Sequence, residues 1–436
     1  MNQPGLRVLF ICQWYPPEPA AIPEGIARAL TREGLHVEVL TGIPNYPSGV
    51  VADGYSALRG TFEMRQEIRV QRVPLYPSHD SSVMKRFANY ATWAIAASIL
   101  GFRSLRSADV ALVYSSPATA ALPAMVASRL WGKPYVLLVQ DVWPDSIFAS
   151  GFFPGTFGRL ARRIINHYVE STYKMAEHVA AISPGMADLL AQRGVPQEKL
   201  SVVYNWVPEE ELQEKSWPTP TLGHRSLASR VGVHQNNRIF LYAGNHGHAQ
   251  ALDYVVRAFL DDRTAPAHLV MLGDGVVKRD LVSLANEHPR VHFLDRVDPA
   301  EAAQLMVDAD VSVISLADEP LFSVTMPSKV QYGLASATPM LVVARGDAAS
   351  VVRDANAGAV AEPGDVDAVV EAVRKLADAS PTELLEMGAR GQRVYHSEMA
   401  CAVGAPKLSW ILGEAATRRK GPRAASDQTE RVGNFS

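Results

Sequence analysis

Short apolar runs alternate with amphipathic stretches along most of the chain. Residues 7–11 (RVLFI) form a continuous apolar run, which is typical of a strand buried on both faces of a sheet. A helical stretch follows at 24–32, and Gly34 ends it. Repetition of this strand–helix alternation predicts an α/β fold with parallel sheets covered by helices on both faces.

The alternation occurs in two blocks. The first block has predicted strands at 7–11, 36–41, 108–115, 134–140, 178–183 and 200–204, and predicted helices at 24–32, 118–130, 157–175 and 185–192. The second has predicted strands at 239–243, 268–272, 291–294, 311–316 and 340–344. Between the blocks the pattern stops, and Pro208, Pro218, Pro220 and Gly223 indicate an interdomain connection. Two doubly wound sheets predict a ligand site in the cleft between two domains, beyond the carboxyl ends of the strands.

Length and charge limit the class of protein. The 436 residues are enough for two domains of about 200 residues each. A net charge of −3 gives no support for nucleic acid as a partner. Cys12 and Cys401 lie far apart, which argues against a disulfide framework and favours a reducing compartment. Arg7 interrupts the only apolar run near the start, so we expect no secretory signal and a cytoplasmic protein.

One segment has a composition that suits a membrane surface. The uncharged run at 87–102 would span about 24 Å as a helix, less than the roughly 30 Å of a bilayer core, so no membrane span is predicted. The wider segment Val83–Arg106 places basic residues around aromatic and aliphatic ones. The basic residues are Lys85, Arg86, Arg103 and Arg106. An interfacial helix at the inner membrane face has this composition. A core helix of the first domain is the alternative interpretation.

A helix start near residue 327 has the features of a phosphate site. Pro327 stiffens the entry, and Ser328 with Gln331 matches a capping box. The free backbone N–H groups at such a helix end suit an anion. Lys329 in the first turn opposes the helix dipole at a cost of about 0.3–1 kcal/mol, which a bound anion would offset. The alternative is a solvated surface lysine.

Two loops that follow predicted strands carry further candidates. Asp141, Trp143 and Asp145 come after the strand at 134–140, where an aromatic ring could stack on a sugar and carboxylates could accept hydrogen bonds from its hydroxyls. The alternative is an ordinary loop in which Asp145 caps the next helix. Segment 243–248 (AGNHGH) follows the first strand of the second domain, and its glycines allow a ligand to approach the backbone.

The remaining candidates are less specific. His246 and His248 could bind a pyrophosphate or a hydroxyl, although loop histidines often do neither. We interpret Gly273–Gly275 as a structural turn. The chain has no compact set of residues with metal-ligand spacing, no Walker loop and no nucleophile elbow, so no metal site is expected.

Five motifs occur in order along the chain and together indicate a family. They are WYPPEP at 14–19, GIPNYPSG at 42–49, QDVWPDSI at 140–147, YAGNHGHAQALD at 242–253 and PSKVQYGLASATP at 327–339. With these motifs the chain resembles the retaining nucleotide-sugar glycosyltransferases of family 4 over about residues 6–400. The resemblance is closest to the branch that builds surface polysaccharides such as colanic acid and O-antigen. It implies a GT-B fold, with two doubly wound Rossmann-like domains facing across a cleft.

The resemblance and the sequence pattern together give a domain plan. We expect an acceptor-side domain at 1–207, a linker at 208–237, a donor-binding domain at 238–400, a helix at 401–416 that returns to the N-terminal domain, and a disordered tail at 417–436. The implied donor is a nucleotide sugar, with UDP as the first expectation and GDP as the second. The implied acceptor is a glycan or a polyprenyl-diphosphate-linked sugar. No organic cofactor and no metal are expected.

The resemblance also suggests roles for single residues. It places Asn245, Gly247, Lys329 and Gln331 near the donor and Asp141 near the reacting centre. To the donor side we add Gly244, Pro327 and Ser328. To the acceptor side we assign Tyr15, Glu18, Trp143 and Asp145.

The chain departs from the family pattern at several positions. Asn245 and Gln250 replace an Arg–Lys pair that usually holds the diphosphate, which leaves Lys329 as the expected cation. Val324 and Tyr332 replace two Glu residues, and Ala20–Ala21 replaces a glycine pair in the acceptor loop. Two alternatives to a transferase therefore stay open. One is a sugar-nucleotide 2-epimerase of the same architecture, and the other is a catalytically silent partner subunit that binds a nucleotide sugar.

Overall fold

The computed structural model describes residues 5–78, 83–143, 145, 155–209, 226–234 and 236–418. These residues form two compact units. The first unit comprises the described residues within 1–143, 152–180 and 406–436, and the second comprises those within 144–151 and 181–405. Most of the predicted linker and the tail from 419 lie outside the described residues, and the predicted domain boundaries stay predictions.

Among the described residues, one sheet has eight strands in the order β3-β4-β2-β1-β5-β6-β7-β8. The strands are β1 (Arg7–Ile11), β2 (His36–Gly42), β3 (Thr61–Arg65), β4 (Ile68–Val73), β5 (Val110–Ser115), β6 (Tyr135–Val139), β7 (His178–Ala181) and β8 (Leu200–Val202). Strand β1 pairs in parallel with β2 and β5, as its continuous apolar run predicts. All six strands predicted for this block are confirmed, with ends that differ by up to two residues.

Strands β3 and β4 were not predicted. Strand β3 is the outermost strand and pairs antiparallel with β4. Strand β4 (IRVQRV) buries Gln71 and Arg72, two residue types that normally indicate an exposed segment. The charge of Arg72 is offset by Glu63 of β3, a pairing between two strands that no local pattern reveals.

The second sheet has six described strands in the order β11-β10-β9-β12-β13-β14. The strands are β9 (Ile239–Ala243), β10 (His268–Leu272), β11 (Val291–Leu294), β12 (Val311–Ser315), β13 (Met340–Val343) and β14 (Gly358–Ala361). The five strands predicted for this block are confirmed, and the printed pairs are parallel. Strand β14 was missed because its four small residues give a weak signal. A Cβ at Gly358 would lie 1.9 Å from the carbonyl oxygen of Met340, so the close pairing with β13 requires glycine.

Helices cover both sheets. The helices of the first unit are α1 (Ala21–Arg32), α2 (Val83–Leu100), α3 (Phe102–Ser107), α4 (Ala121–Trp131) and α5 (Gly155–Met175). The second unit contains α6 (Pro184–Gln192), α7 (Ser226–Arg230), α8 (Leu252–Leu260), α9 (Lys278–Ala285), α10 (Pro299–Asp308), α11 (Pro320–Ser323), α12 (Ser328–Ala335), α13 (Asp347–Asp354), α14 (Val366–Ala377) and α15 (Pro381–Val394). A π-helical turn at Tyr395–Met399 leads into α16 (Cys401–Arg418), which contributes to both units.

The strand orders place ligand-binding loops at one end of each sheet. In the second sheet the order reverses between β9 and β12, which are neighbours although they are far apart in the chain. In the first sheet the same reversal lies between β1 and β5. Doubly wound sheets bind ligands at the carboxyl ends of the strands beside such a reversal. A ligand site is therefore expected in the loops after β1, β5, β9 and β12.

Helix α2 has two different apolar faces. Trp93, Ala94 and Ala97 are buried, and the helix packs on α4, as the core interpretation of this segment predicts. The remaining surface exposes several large apolar side chains. They are Met84, Phe87, Ile95, Ile99 and Leu100, and Phe102 of α3 continues the surface. No helix among the described residues has both the length and the apolar character of a membrane span.

Candidate functional site

Glycines bring two loops of the second unit into backbone contact at the carboxyl ends of β9 and β10. Gly244 and Gly273 have φ angles of +146° and +134°, values that favour glycine. A Cβ at Gly273 would lie 2.0 Å from the carbonyl oxygen of Gly244, and a Cβ at Gly275 would lie 2.3 Å from that of His246. The turn at Gly273–Gly275 therefore has the structural role that its sequence suggested, and it supports the loop that begins at Gly244.

Lys329 extends from the first turn of α12 to this loop. Its Nζ lies 3.1 Å from the hydroxyl oxygen of Tyr242 and 4.4 Å from the centroid of the Tyr242 ring. A Cβ at Gly244 would be 2.5 Å from Nζ, so a larger residue at this position would displace the amine. Burial lowers the pKa of Lys329 to about 8. Lys329 is half-buried and forms no salt bridge within the described part of the chain, so it is not a solvated surface lysine.

The loop after β9 is held together by contacts among Asn245, Gly247 and Gln250, next to Gly244. The N–H of Gly247 donates to the side-chain oxygen of Gln250 at 3.1 Å. A Cβ at Gly247 would lie 2.6 Å from the side-chain nitrogen of Asn245, so both side chains close around this glycine. The hydroxyl of Tyr242 donates to the Asn245 carbonyl at 2.7 Å. The Asn245 side chain is exposed, whereas Gln250 is engaged in shaping the loop.

The predicted capping box of α12 is wrong. Pro327 is the N-cap residue, and no side chain caps the helix. Ser328 is exposed, and Gln331 is buried. The Gln331 amide donates to the backbone carbonyl of Asn205 at 2.7 Å, which withdraws it from the helix start. The capping box fails because a buried backbone acceptor from a distant segment competes for the same side chain.

His246 is buried, in contrast to the exposed His248 of the same loop. Neither ring nitrogen forms a hydrogen bond with a described residue. Burial lowers the pKa of His246, and the positive charges of Lys278 and Lys329 act in the same direction. The imidazole is therefore neutral near pH 7 and lies 5.7 Å from the Tyr242 ring, measured between centroids.

In the first unit, Asp141 follows β6 and is held by the loop after β5. The hydroxyl of Ser116 donates to Oδ2 of Asp141 at 2.6 Å. Asp141 is accessible to solvent, yet the surrounding protein raises the pKa of its carboxyl, and the Ser116 hydrogen bond partly opposes that rise. A carboxylate with a raised pKa is a better proton acceptor than an ordinary aspartate.

Four aromatic rings form a connected cluster near Asp141. Trp14 lies 5.3 Å from Tyr46 and 6.1 Å from Tyr90, and Tyr90 lies 6.3 Å from Trp143, measured between ring centroids. The charge of Asp141 contributes to the raised pKa of Tyr90, which places the cluster within electrostatic range of the carboxylate. Trp14, Tyr46 and Tyr90 are half-buried, whereas Trp143 is buried.

Sequence reasoning found only Trp143 of this cluster. Its partners Trp14, Tyr46 and Tyr90 come from the loop after β1, the loop after β2 and helix α2. No periodic pattern connects three such segments. Two of them do lie in motifs, WYPPEP and GIPNYPSG, and the shared aromatic and proline content of those motifs was the available signal.

Tyr15 and Glu18 have structural contacts. Both residues are buried. The Glu18 carboxylate accepts hydrogen bonds from the backbone N–H groups of Tyr15, Asn45 and Tyr46, at 3.2, 2.9 and 2.9 Å. It thereby joins the loop after β1 to the loop after β2. Both of its oxygens are occupied by backbone, which favours a positioning role over direct contact with a ligand.

Two further observations complete the placement of the predicted residues. Asp145 pairs with Arg193, so its carboxylate already has a cationic partner. No group of three or more His, Cys, Asp or Glu side chains among the described residues could hold a metal ion.

Two family models match the chain. Residues 19–206 match the Glycosyl transferase 4-like domain, and residues 237–379 match Glycosyl transferases group 1. Between them the two matches cover most of the chain, and they correspond to the two blocks of alternating strands and helices.

Two known proteins are similar in sequence to part of this chain. The probable glycosyltransferase WbjE of Pseudomonas aeruginosa is 24% identical over 242 residues, which cover 55% of this chain and 58% of WbjE. The putative colanic acid biosynthesis glycosyl transferase WcaI of Escherichia coli K12 is 26% identical over 259 residues, which cover 59% of this chain and 62% of WcaI. The matched regions thus span less than two thirds of either relative.

Solved structures share the fold over nearly the whole chain. The crystal structure of Anabaena HepE in complex with UDP and glucose superposes with a TM-score of 0.62, at 16% identity, and covers 94% of this chain and 99% of HepE. The two parallel-sheet α/β units predicted from the sequence are confirmed, as is the family resemblance carried by the five motifs. The chain belongs to the glycosyltransferases of GT-B fold that join a Glycosyl transferase 4-like domain to a Glycosyl transferases group 1 domain.

Proposed function

We propose that the chain transfers a sugar from a nucleotide diphosphate donor to a glycan or lipid-linked acceptor in surface-polysaccharide synthesis, with retention at the anomeric carbon. The observation that carries the proposal is the position of Lys329. Its amine lies against Gly244 at the carboxyl end of β9, beside the strand-order reversal, and has no acidic partner among the described residues. A cation of this kind suits an anionic ligand such as a diphosphate.

The reaction gives Lys329 a defined task. As the anomeric bond breaks, negative charge develops on the departing nucleoside diphosphate. Donors that are fixed before the reaction stabilise such charge most effectively, because they need no reorganisation. Lys329 and the free N–H groups at the start of α12 would serve in this way. A UDP-sugar is our first candidate, and the binding of UDP by HepE supports it. A GDP-sugar is the second.

Asp141 is the proposed acceptor-side base. Its raised pKa and its exposure suit a group that orients the acceptor hydroxyl or takes its proton. The half-buried rings of Trp14, Tyr46 and Tyr90 would pack against the apolar face of an acceptor sugar. WcaI, whose name assigns it to colanic acid biosynthesis, supports a polysaccharide acceptor.

We further propose that the acceptor is carried on a polyprenyl diphosphate and that the first unit contacts the inner membrane face. Helix α2 carries Tyr90 of the aromatic cluster and also the exposed Met84 and Phe87, with Lys85 and Arg86 between them. One helix would thus present a stacking ring, basic charge and an apolar surface within two turns. An amphiphilic acceptor matches that combination.

Release of nucleoside diphosphate tests the function. Purified protein is mixed with UDP- or GDP-sugars and a lipid-linked glycan extract, and nucleoside diphosphate is measured. We expect release that requires both donor and acceptor, and an Asp141→Asn control with little release.

We also propose that no metal takes part, since Lys329 supplies the positive charge, so release should persist in EDTA. Change of the sugar at C2 without an acceptor would indicate an epimerase. Donor binding without any turnover would indicate a silent subunit.

A further inference from the structure

Tyr242 connects the two parts of the proposed donor site. Its hydroxyl donates to the carbonyl of Asn245 at 2.7 Å and accepts from the amine of Lys329 at 3.1 Å. The same ring lies under the amine, 4.4 Å from centroid to Nζ. The Tyr242 side chain is fully buried, so its position is fixed by packing. One residue therefore holds both the loop after β9 and the cation of α12.

The way Lys329 is held differs from the way a nearby lysine is held. Lys278 of α9 donates to the Asp295 carboxylate at 2.7 Å and to the Gly273 carbonyl at 2.8 Å, and its charge is compensated. Lys329 instead has a neutral hydroxyl and an aromatic face as its partners. Each favours the charged amine without cancelling its charge. An incoming anion would then have no carboxylate to displace.

We infer that Tyr242 is a positioning residue that holds Lys329 protonated and uncompensated for the donor diphosphate. The inference rests on the proposed donor role of Lys329 and gives a role to Tyr242, to which the motif at 242–253 assigned none. It makes donor affinity depend on pH through Tyr242, because only the protonated amine attracts a diphosphate. Loss of the hydroxyl removes a hydrogen bond to the charged form, and the amine then loses its proton at lower pH.

Few other titratable groups face Lys329. His246 of the same loop is neutral near pH 7, and its imidazole is close enough to feel the charge of Lys329. Tyr332 of α12 shares a cavity with Lys329. The cavity wall is otherwise apolar or uncharged and includes Leu241, Ala243, Ser312 and Thr338. Because the described lining contains no carboxylate and His246 is already neutral, we expect a pH dependence of donor affinity between 7 and 9 to report on Lys329 itself.

The first experiment follows Lys329 by NMR of 13C-labelled lysine side chains, with the signal assigned by its loss in Lys329→Arg. We expect a wild-type midpoint of about 8. Tyr242→Phe should lower it by about one unit, and Tyr242→Leu, which also removes the ring, by at least as much. Tyr254→Phe on α8 is the matched control and should change nothing. An unchanged midpoint in Tyr242→Phe would overturn the inference, whatever the donor is.

The second experiment measures UDP-glucose affinity by calorimetry at pH 6.5 and pH 8.5. If only the charged amine binds, the deficit of Tyr242→Phe against wild type should be small at pH 6.5 and about eightfold at pH 8.5. A purely structural defect would weaken binding equally at both pH values and would count against the inference.

Two outcomes separate the inference from the proposed function. If Lys329→Ala binds UDP-glucose, or GDP-mannose in its place, as well as wild type does, the donor assignment fails. If Lys329→Ala loses affinity while Tyr242→Phe matches wild type at both pH values, the donor assignment stands and Tyr242 has no positioning role. Wild-type protein that binds neither nucleotide sugar counts against the proposed function, and the NMR midpoint still decides the role of Tyr242.

Discussion

The hydroxyl of Ser116 donates a 2.6 Å hydrogen bond to Asp141, and this contact joins the loops that follow the neighbouring strands β5 and β6. The bond stabilises the ionised carboxylate, whereas partial desolvation by the surrounding protein raises its pKa. Two features therefore control the pKa of Asp141, the proposed base. One is the protein around the carboxylate, and the other is a single serine that can be removed without touching the carboxylate.

Asp141→Asn should keep the fold and donor binding but lower turnover by about 10²–10⁴, the usual contribution of a general base. Circular dichroism and donor calorimetry check the first two expectations, and nucleoside diphosphate release checks the third. Weakened donor binding with normal acceptor kinetics would show that Asp141 contacts the other substrate.

Ser116→Ala should move the acid limb of the pH–rate profile to higher pH. Removal of the hydrogen bond raises the pKa of Asp141 further, so the carboxylate is protonated over a wider acid range. The measurement is kcat/KM between pH 5 and 8, with Ser115→Ala in β5 as a control. A uniform loss of rate at every pH would mean that Ser116 acts by some means other than the pKa of Asp141.

Lys329→Ala should weaken nucleotide-sugar binding by about 1.5–3 kcal/mol, the usual value of a hydrogen bond to a charged group. Lys329→Arg should recover only part of that loss, because a planar guanidinium does not fit the place of a compact amine beside Gly244. Calorimetry measures both, and Lys375→Ala on the exposed face of α14 is the control. Unchanged affinity in Lys329→Ala would remove this residue from the donor site.

Glu18→Gln should destabilise the first unit by about 1–3 kcal/mol, because the amide group presents a donor to a site built from three backbone donors. We also expect the KM for the acceptor to rise more than kcat falls, since the loops that carry Trp14 and Tyr46 lose the carboxylate that both of them bind. Urea unfolding and acceptor kinetics test these expectations. An acceptor KM equal to that of wild type would limit Glu18 to a role in stability.

The exposed face of α2 and α3 should bind anionic membranes. The test is flotation with liposomes that contain anionic lipid, at low salt, with wild type and a variant in which four basic residues are changed to Ser. The changed residues are Lys85, Arg86, Arg103 and Arg106. We expect wild type to float and the variant to remain in solution, because each basic residue contributes about 1 kcal/mol near an anionic surface.

A matched control removes the same number of charges from the second unit. The control residues are Arg279, Arg353, Arg374 and Lys375, which are exposed. This variant should float like wild type. If wild type stays in solution, or if both variants behave alike, the apolar face of α2 does not dock on lipid.

Acid should destabilise the second unit through the histidine pair His268 and His292. Their ring nitrogens lie 3.1 Å apart, and burial with the charge of Arg290 and the neighbouring imidazole lowers the pKa of His268 to about 4. In the unfolded chain this pKa is about 6.5. The folded state therefore resists protonation, and its stability is full above pH 6.5 and falls as the pH drops towards 4.

The size of this effect can be isolated by mutation. Because His268 is partly accessible, we expect a loss of about 1–2 kcal/mol between pH 7 and pH 4.5. His268→Gln should make the loss smaller, and His36→Gln at the exposed start of β2 should not. Urea unfolding at the two pH values measures it. An equal loss of stability in wild type and His268→Gln would exclude the pair as the acid-sensitive element.

Sequence predicts the strands whose environment is uniformly apolar and misses those that depend on a partner. Strands β1 and β9 are continuous apolar runs and were placed correctly to the residue. Strand β4 was missed because Arg72 is buried through partners that are distant in the chain, among them Glu63 on another strand. The helix start at Ser328 was found, whereas its capping was not, because Gln331 bonds to the distant Asn205 carbonyl.

The candidate site shows the same division. Lys329, Gly244 and Asp141 could be proposed from sequence because each lies in a short motif at a strand or helix end, where local chemistry is informative. Tyr242 was overlooked, since a tyrosine within a buried strand looks like any core residue until Lys329 is placed beside it. The aromatic cluster was likewise invisible as a cluster, because its rings come from separate segments that only the fold brings together.

Arg72 joins the segments of the first unit that carry the proposed acceptor side, and this bears on how those segments can be exchanged. Its guanidinium donates to the backbone carbonyls of Pro16 and Gly42 and to the carboxylate of Glu63. Arg72 thus links β3 to the segment after β1 and to the end of β2, although the three are separate in the chain. A chimera that takes only residues 14–47 from a relative would keep Arg72 but replace the segments that contain its backbone partners. Transplanting 61–73 together with those segments would keep these contacts intact, so the smallest exchangeable module is larger than the loops themselves.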